Sequence, residues 1–429
     1  MSLVKDGRFL GKIEYCWVIA VCCALLQAFG MGLILNCGSL FYVYICDDLG
    51  FLRADISTYM TGYFVGTTIG TPVAGTILSK FDIRRVMGAA ICVLAFSVGI
   101  MSTYNEIWQW QLSGFFVGFF GAYIFVLPSA SMVGNWFVKR RGTIYGLVMA
   151  CSSISAAIFA LVINTIIMVY GWRCGYLFVG IASFAVIFPC CFLYRYKPSD
   201  IGAKPYGDGE VTKEISAKQK RGVPMKVAVA SVSFWCLSLF AGIASFCHGG
   251  VEQHIPGYMV QLGLGTAFGA TIISAQSAGS VMDKLIMGWL NDKIGVRRTT
   301  IVELIVIICG LMGFIFTRNP ALLIFSAIAF GVQDSLMSVS LPLLIREIFG
   351  NKYYTRIHGW IRAAVGTLGT FSGVFVGWVY DVTGTFEPAF AVLVALFMAA
   401  MLCVILAYAC GRKLVWEEAD GTAAASAKA

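Results

Sequence analysis

Gly75-Thr-Ile-Leu-Ser-Lys-Phe-Asp-Ile-Arg-Arg85 and Gly288-Trp-Leu-Asn-Asp-Lys-Ile-Gly-Val-Arg-Arg298 are two versions of one short segment, 213 residues apart. Each begins at the end of a long apolar run, sets an acidic residue beside a turn and closes on paired arginines. The same offset of 213 carries Lys139 to Lys352 and Gly146 to Gly359, and an offset of 214 carries Pro128 to Pro342. A near-constant shift across separate loops and apolar runs predicts two related halves, with an axis along the membrane normal between them.

The runs on either side of these segments decide the fold class. Of 429 residues, 59% are hydrophobic and only 12% charged, whereas an ordinary soluble domain is about a quarter charged. One helical crossing of a bilayer takes about 20 apolar residues. Residues 15–46, 56–79, 86–105, 107–138, 142–172 and 174–194 contain no Asp, Glu, Lys or Arg, and six further spans follow at about 231–261, 267–291, 299–317, 321–349, 357–381 and 387–411. The expectation is an all-α integral membrane protein with twelve transmembrane helices. Its six-helix bundles would be residues 1–194 and 231–411. A polar linker, 195–230, joins them with eight basic residues and several prolines and glycines, and a tail, 412–429, follows.

The net charge of +9 sits in loops, so it reports topology and not a nucleic-acid partner. If both termini and the even-to-odd loops are cytoplasmic, that side holds 26 of the 31 basic residues. Such asymmetry sets orientation and suits the plasma or inner membrane. Lys5, Arg8 and Lys12 precede a first run too long for a cleavable leader. The 15 cysteines lie mostly inside apolar runs with no CxxC pair, as packing residues do. No metal or cofactor spacing appears, and His248 and His254, with Glu252 between them, are not placed as zinc ligands. Neither a Walker sequence nor a GxSxG nor a dinucleotide fingerprint occurs, so transport by such a chain would be secondary and driven by a gradient.

The charges inside the spans point to a site. The first half has none in mid-span, but the second has Asp283 and Lys284 in the eighth span, Asp334 in the tenth and Arg362 in the eleventh. At the offset of 213 the equivalents of Lys284 and Arg362 are Thr71 and Met149, so the repeat did not dictate them. At 1.5 Å per residue both cations lie roughly 12–14 Å above the basic loops, near the middle of a core about 30 Å thick. Cations at that depth mark a substrate pathway or a paired charge. Lys284 and Arg362 are therefore candidate anion-binding residues, and Asp283 and Asp334 candidate coupling or ion-pair residues. Static pairs of Lys284 with Asp283 or of Arg362 with Asp334 are the competing reading, although neighbouring helix residues point about 100° apart. Tyr63, Tyr123, His248, Gln276 and Trp360 are weaker candidates as cavity lining. Arg84, Arg85, Asp292, Arg297 and Arg298 are candidates for gating salt bridges between helices. Glycines at helical spacing (Gly62, Gly66 and Gly70; Gly114 and Gly118; Gly366, Gly369, Gly373 and Gly377) predict close helix approach.

The two opening segments resemble the loop motif of the major facilitator superfamily. Asn135-Trp-Phe-Val-Lys-Arg-Arg-Gly-Thr-Ile-Tyr-Gly146, Tyr170-Gly-Trp-Arg173 and Gln253-His-Ile-Pro256 are similar to segments of its oxalate/formate antiporter and monocarboxylate transporter families. The first loop departs from the pattern, with Ser79 where Asp is usual and Asp82 where Gly is usual. The resemblance implies a basic residue four before the loop glycine, where Lys284 precedes Gly288, and another before a run of small residues, where Arg362 precedes Ala363-Ala-Val-Gly366. It also implies that Asp283 carries a coupling proton. The family's residue in the eighth helix is typically Arg. Lysine lacks the bidentate fork of a guanidinium, which favours carboxylates generally over one rigid dianion. The expected function is a monomeric secondary transporter of small organic anions, by exchange or proton symport, with substrate held between rocking halves. A membrane sensor of the same fold and a drug exporter remain as alternatives, and no constellation supports an enzyme.

Overall fold

The computed structural model describes residues 13–51, 53–125, 127–207 and 221–412, with 4–5, 8–9, 414, 416–417 and 423–424 near the two ends. The middle of the expected linker and most of the expected tail lie outside the described residues. The chain divides into two compact units, Met1–Ala217 and Lys218–Ala429.

In the first unit α1 starts as Tyr15–Leu26 and continues as a wider π-helical stretch, Gln27–Asn36, before Tyr42–Leu49 completes the crossing. Then come α2 (Arg53–Lys80), α3 (Ile83–Gly99) and α4 (Ile107–Gly121, resuming as Leu127–Trp136). The stretch Arg141–Leu193 is two helices, α5 and α6, divided at Gly171, where φ is 85° and ψ is 163°. The second unit runs α7 (Val232–Gln261), α8 (Gly265–Ile294), α9 (Val296–Phe316), α10 (Pro320–Phe349), α11 (Tyr354–Thr383) and α12 (Glu387–Gly411). Eight stretches are long and apolar enough to cross a bilayer, the α5–α6 stretch among them. The helices outside that set, α2, α4 and α8, are rich in Gly, Ser or Thr or are interrupted.

Among the interrupted helices, α4 and α10 share a covalent feature at their breaks. Pro128 and Pro342 are each the second residue of a resumed segment, Leu127–Trp136 in α4 and Leu341–Phe349 in α10. Proline has no N–H for the carbonyl four residues back. The preceding turns therefore leave α geometry, as a non-helical turn at 122–125 and as a π turn at Leu336–Ser340. In the first unit fully buried Gln27 covers the break, donating through Nε2 to the Phe125 carbonyl and to Ser129 Oγ, the latter at 3.0 Å. In the second, buried Gln333 donates to the Ala244 carbonyl of α7 at 2.5 Å.

Small residues set a close backbone contact in each unit. A Cβ on Gly66 of α2 would lie 2.1 Å from the Phe115 carbonyl of α4, and one on Gly118 of α4 would lie 2.1 Å from the Tyr63 carbonyl of α2. At the offset of 213, Gly279 of α8 and Gly331 of α10 do the same, 2.4 Å from the Ile328 carbonyl and 2.2 Å from the Gln276 carbonyl. Turns recur at the same offset: Gly50 and Gly263, then Gly171 and Gly384, all have positive φ, a conformation that costs glycine nothing. Arg173 beside the Gly171 break donates to the Ser102 carbonyl and to Asn105 Oδ1, both at 2.9 Å. Arg318 bridges Glu387 at 2.8 Å and donates to the Tyr258 hydroxyl at 2.9 Å.

Gly66→Ala is expected to destabilise the detergent-purified protein by about 1–3 kcal/mol, because the opposing atom is backbone and cannot rotate away. Gly88→Ala, where a Cβ meets nothing within 4 Å, is the matched control. Thermal melts of the two variants check this, and equal melting temperatures would count against backbone contact between α2 and α4.

Candidate functional site

The irregular middle of α10 places the site. Asp334 lies in the short segment Gln333–Ser335, just before the π turn. Its carboxylate receives Lys284 Nζ from α8 at 2.6 Å and the Ser280 hydroxyl, one turn earlier on α8, also at 2.6 Å. The two partners differ in access: the Lys284 side chain is 1% exposed and that of Asp334 33%. Gln276, Ser280 and Lys284 recur every four residues and so share one face of α8. Gln276 is also buried, and its Oε1 accepts no hydrogen bond.

Arg362 of α11 reaches the same segment. Its Nη1 donates to the Met337 carbonyl at 3.4 Å, three residues past Asp334 and inside the π turn. The two intramembrane cations thus converge on one short piece of α10, one at a side chain and the other at the backbone. Neither static pair of the competing reading forms. Lys284 takes Asp334 and not its neighbour Asp283, because adjacent side chains diverge around the helix, and Asp334 is occupied by Lys284 and Ser280 instead of Arg362.

Asp283 is 3% exposed and neither of its oxygens has a hydrogen-bond partner. The strongest charge acting on it is that of Glu303 on α9. Glu303 is fully buried and accepts from the Ser335 hydroxyl at 2.8 Å. The sequence reading passed over Glu303 because it stands near the start of its span, where a charge is ordinarily interfacial. Its burial and its place seven residues past Val296 are visible only in the packing.

The weaker candidates divide. His248 Nε2 lies 3.1 Å from Glu252 one turn along α7, and Asp334 and Lys284 both act on it electrostatically, so it borders the site. Trp360 is 49% exposed on α11. Tyr63 and Tyr123 belong to the first unit. Tyr63 packs edge-on against Phe64, and Tyr123, buried in the α4 break, lies against Phe119 and Phe120.

The loop between α2 and α3 carries a local ion pair. Arg84 bridges Asp82 at 2.7 Å, two residues away in the same loop and not on another helix. Asp82 also caps α3 by accepting from the Arg84 N–H at 3.1 Å, and the Arg84 guanidinium holds its carboxyl below the usual carboxylate range. Replacing the usual glycine with Asp82 thus gives this loop its own counter-charge, while Arg85 stands in the first turn of α3. In the second copy Arg297 lies over the Tyr408 ring, 5.7 Å from its centroid. Asp292 is in the last turn of α8 and Arg298 in the first turn of α9.

A family model described as Major Facilitator Superfamily matches residues 20–373 and, in a second match, 269–427. The membrane sensor protein UhpC of Salmonella typhimurium is 24% identical, over 56% of this chain and 57% of its own length. The sialic acid transporter NanX of Escherichia coli is 22% identical over 85% and 88%, and monocarboxylate transporter 12-B of Danio rerio 23% over 61% and 60%. The chain thus spans less than two thirds of the length of several relatives it matches. The fold is that of the proton:xylose symporter XylE, with a TM-score of 0.71 at 14% identity, covering 90% of this chain and 94% of that one. Matched along most of its length and folded as that symporter is, the chain is a multi-pass membrane protein and belongs to the major facilitator superfamily.

Proposed function

We propose that this protein is a secondary transporter of small organic anions, carboxylates above all, in which Lys284 and Arg362 hold the anion. The observation that carries this reading is the convergence of both cations on residues 334–337, with the accessible Asp334 carboxylate in front of the buried lysine. A cation in such a place always needs a counter-anion, since leaving it alone costs about 3–5 kcal/mol. A substrate carboxylate can take over from Asp334 without desolvating the lysine afresh. Exchange of one carboxylate for another keeps binding reversible, as transport requires. Lysine offers three donors on a compact head, enough for carboxylates of varied shape. Two relatives are named for acids, sialic acid and monocarboxylates, which agrees in chemical class.

A second reading is favoured by another relative, named as a membrane sensor: the fold would bind an anion and report it without moving it. Counterflow separates the two. Purified protein in proteoliposomes preloaded with unlabelled mono- and dicarboxylates is expected to accumulate the labelled substrate transiently. Binding without counterflow across the panel would favour the sensor.

Lys284→Met combined with Asp334→Leu removes the ion pair from both sides and is expected to insert and melt like wild type, because apolar replacement of a buried pair is close to neutral. Its half-saturation for carboxylate uptake should rise at least roughly 100-fold, the equivalent of about 3 kcal/mol. Arg362→Gln should also weaken uptake at unchanged expression. Wild-type uptake by both would sink the anion-holding assignment. Asp334→Asn alone leaves Lys284 uncompensated and is expected to lower stability by about 3–5 kcal/mol, measured by thermal melting.

A further inference from the structure

The loop after α2 has a near copy after α8, but what surrounds it differs between the two units. In the first unit two recesses meet at Asp82 and Arg84, which line both. One, of about 340 Å³, lies between the loop and residues 194–200 beyond α6, with Lys80, Arg195 and Lys197 on its walls. The other, of about 500 Å³, is a groove between α3 and α6 that starts at Arg84 and Arg85. Its α3 side is made of small residues, Gly88, Ala89 and Cys92, and its α6 side of Phe188 and Phe192. A Cβ on Gly88 would meet nothing within 4 Å, so the space is open there. Phe192 is 64% exposed on a membrane-crossing stretch, and Phe188 lies edge-on to it with ring centroids 5.4 Å apart. Cys92 stands seven residues past Arg85 on α3, about 10 Å at 1.5 Å per residue. The groove therefore runs from a basic rim into the hydrocarbon region.

The rim carries more positive charge than its carboxylates can balance. Five basic residues line the two recesses, against Asp82 and Asp200. Both acids are engaged. Asp82 bridges Arg84 and caps α3, and Asp200 accepts from the Lys197 N–H at 2.9 Å. Lys80, Arg85 and Lys197 are exposed and form no ion pair among the described residues. Arg195 is held at the end of the α6 wall, where its Nη1 donates to the Phe192 and Tyr194 carbonyls at 2.9 and 2.8 Å. The second unit shows that the repeat does not demand this arrangement. At the offset of 213, Gly88, Ala89 and Cys92 become Ile301, Val302 and Ile305, and Arg195 and Lys197 become Tyr408 and Cys410. The Tyr408 ring lies beside Arg297, the counterpart of Arg84, and its hydroxyl donates to Glu347 at 2.7 Å. Branched side chains thus stand where the first unit has its groove, and an aromatic ring where it has a basic wall.

We propose that the groove between α3 and α6 binds one anionic phospholipid from the leaflet beside the basic loops. Its phosphate lies against Arg85, with Lys80 and Lys197 on the recess side, and its acyl chain follows Gly88, Ala89 and Cys92 past Phe188 and Phe192. A basic rim above an exposed apolar channel matches a molecule that is charged at one end and hydrocarbon at the other. A free phosphate uses the rim and leaves the groove open. An uncharged apolar ligand uses the groove and leaves the rim unmatched. A headgroup of net negative charge is selected, because the two carboxylates that could take up an ammonium are engaged with Arg84 and with the Lys197 N–H. The site belongs to the first unit and Lys284 and Arg362 to the second, so it stands whether or not those two cations hold a transported anion.

Native mass spectrometry of the purified, delipidated full chain tests this, with phosphatidylglycerol and phosphatidylcholine of identical acyl chains as probes. Wild type is expected to bind one phosphatidylglycerol at least about 10-fold more tightly than phosphatidylcholine, as two or three basic residues beside an anionic headgroup imply. Arg85→Gln with Lys197→Gln should abolish that preference and leave phosphatidylcholine binding unchanged. Gly88→Ile with Cys92→Ile, which installs the second unit's residues, should weaken the binding of both lipids. Arg297→Gln with Arg298→Gln, in the equivalent loop of the second unit, should keep the wild-type preference. Equal binding of the two lipids by wild type would overturn the proposal. Equal loss on changing either loop would overturn it as well, since basic loops in general would then attract the lipid. Displacement of phosphatidylglycerol by an equal concentration of glycerol phosphate would also overturn it, because the rim would then be a free-phosphate site. Thermal melts establish that the variants are folded, and the wild-type comparison stands without them.

Discussion

A lysine with 1% of its side chain exposed, in the middle of a helix that crosses a membrane, can stay charged only against a carboxylate. The ion-pair partner, Asp334, stands 50 residues along the chain, and the contact exists because α8 and α10 approach closely and α10 is irregular there. The approach is set by Gly279 and Gly331, which leave no room for a Cβ between the two backbones. The irregularity is set by Pro342, which denies the π turn one hydrogen bond. A larger residue at either glycine would push Asp334 away from Lys284, and an unbroken α10 would turn it to another face. The charge pair is thus an outcome of packing that was needed first.

Because the pair is neutral, the site is at rest and still anionic on its open side. Asp334 presents a third of its side chain while the lysine behind it is sealed. On the anion-holding reading proposed above, an entering anion does not find a bare cation. It competes with a carboxylate already in place, aided by Arg362 at the far end of the same turn. Affinity then depends on how well a ligand outdoes an internal carboxylate, which favours exchange over capture. The serines hold the competing carboxylate in position: Ser280 on its side chain and Ser338 on its backbone carbonyl, at 2.6 and 2.7 Å.

Much of the fold was legible because lipid imposes a simple rule, that backbone groups in hydrocarbon must be satisfied within the helix. Long apolar runs, charge-free in the first half, therefore mapped onto α1 to α12 with ends displaced by a few residues. The breaks in α4 and α10 were signalled by Pro128 and Pro342, which the repeat exposed but whose effect on the preceding turn was not drawn. At the site the sequence marked Lys284, Arg362, Asp283 and Asp334 by depth alone. It did not pair Lys284 with Asp334, because a contact between residues 284 and 334 leaves no periodic trace. Glu303 was missed for a related reason: distance from a span's end is a poor measure of burial when α9 starts at Val296, directly after the turn at Gly295.

The offset of 213 shows how unevenly the chemistry is distributed. Positions equivalent to Asp283, Lys284, Glu303, Asp334, Ser335 and Arg362 are Gly70, Thr71, Ala90, Gly121, Ala122 and Met149. Every one is uncharged, and two are tightly packed: a Cβ on Gly70 would lie 2.6 Å from the Phe119 carbonyl, and one on Gly121 would lie 2.3 Å from the Phe125 ring. Charges inside a bilayer are stable as sets and costly one at a time, since a lone member is left uncompensated. A unit therefore holds the whole set or none of it. The second unit holds three carboxyls and two cations within one helix cluster, and the first keeps the same frame with small residues in their places.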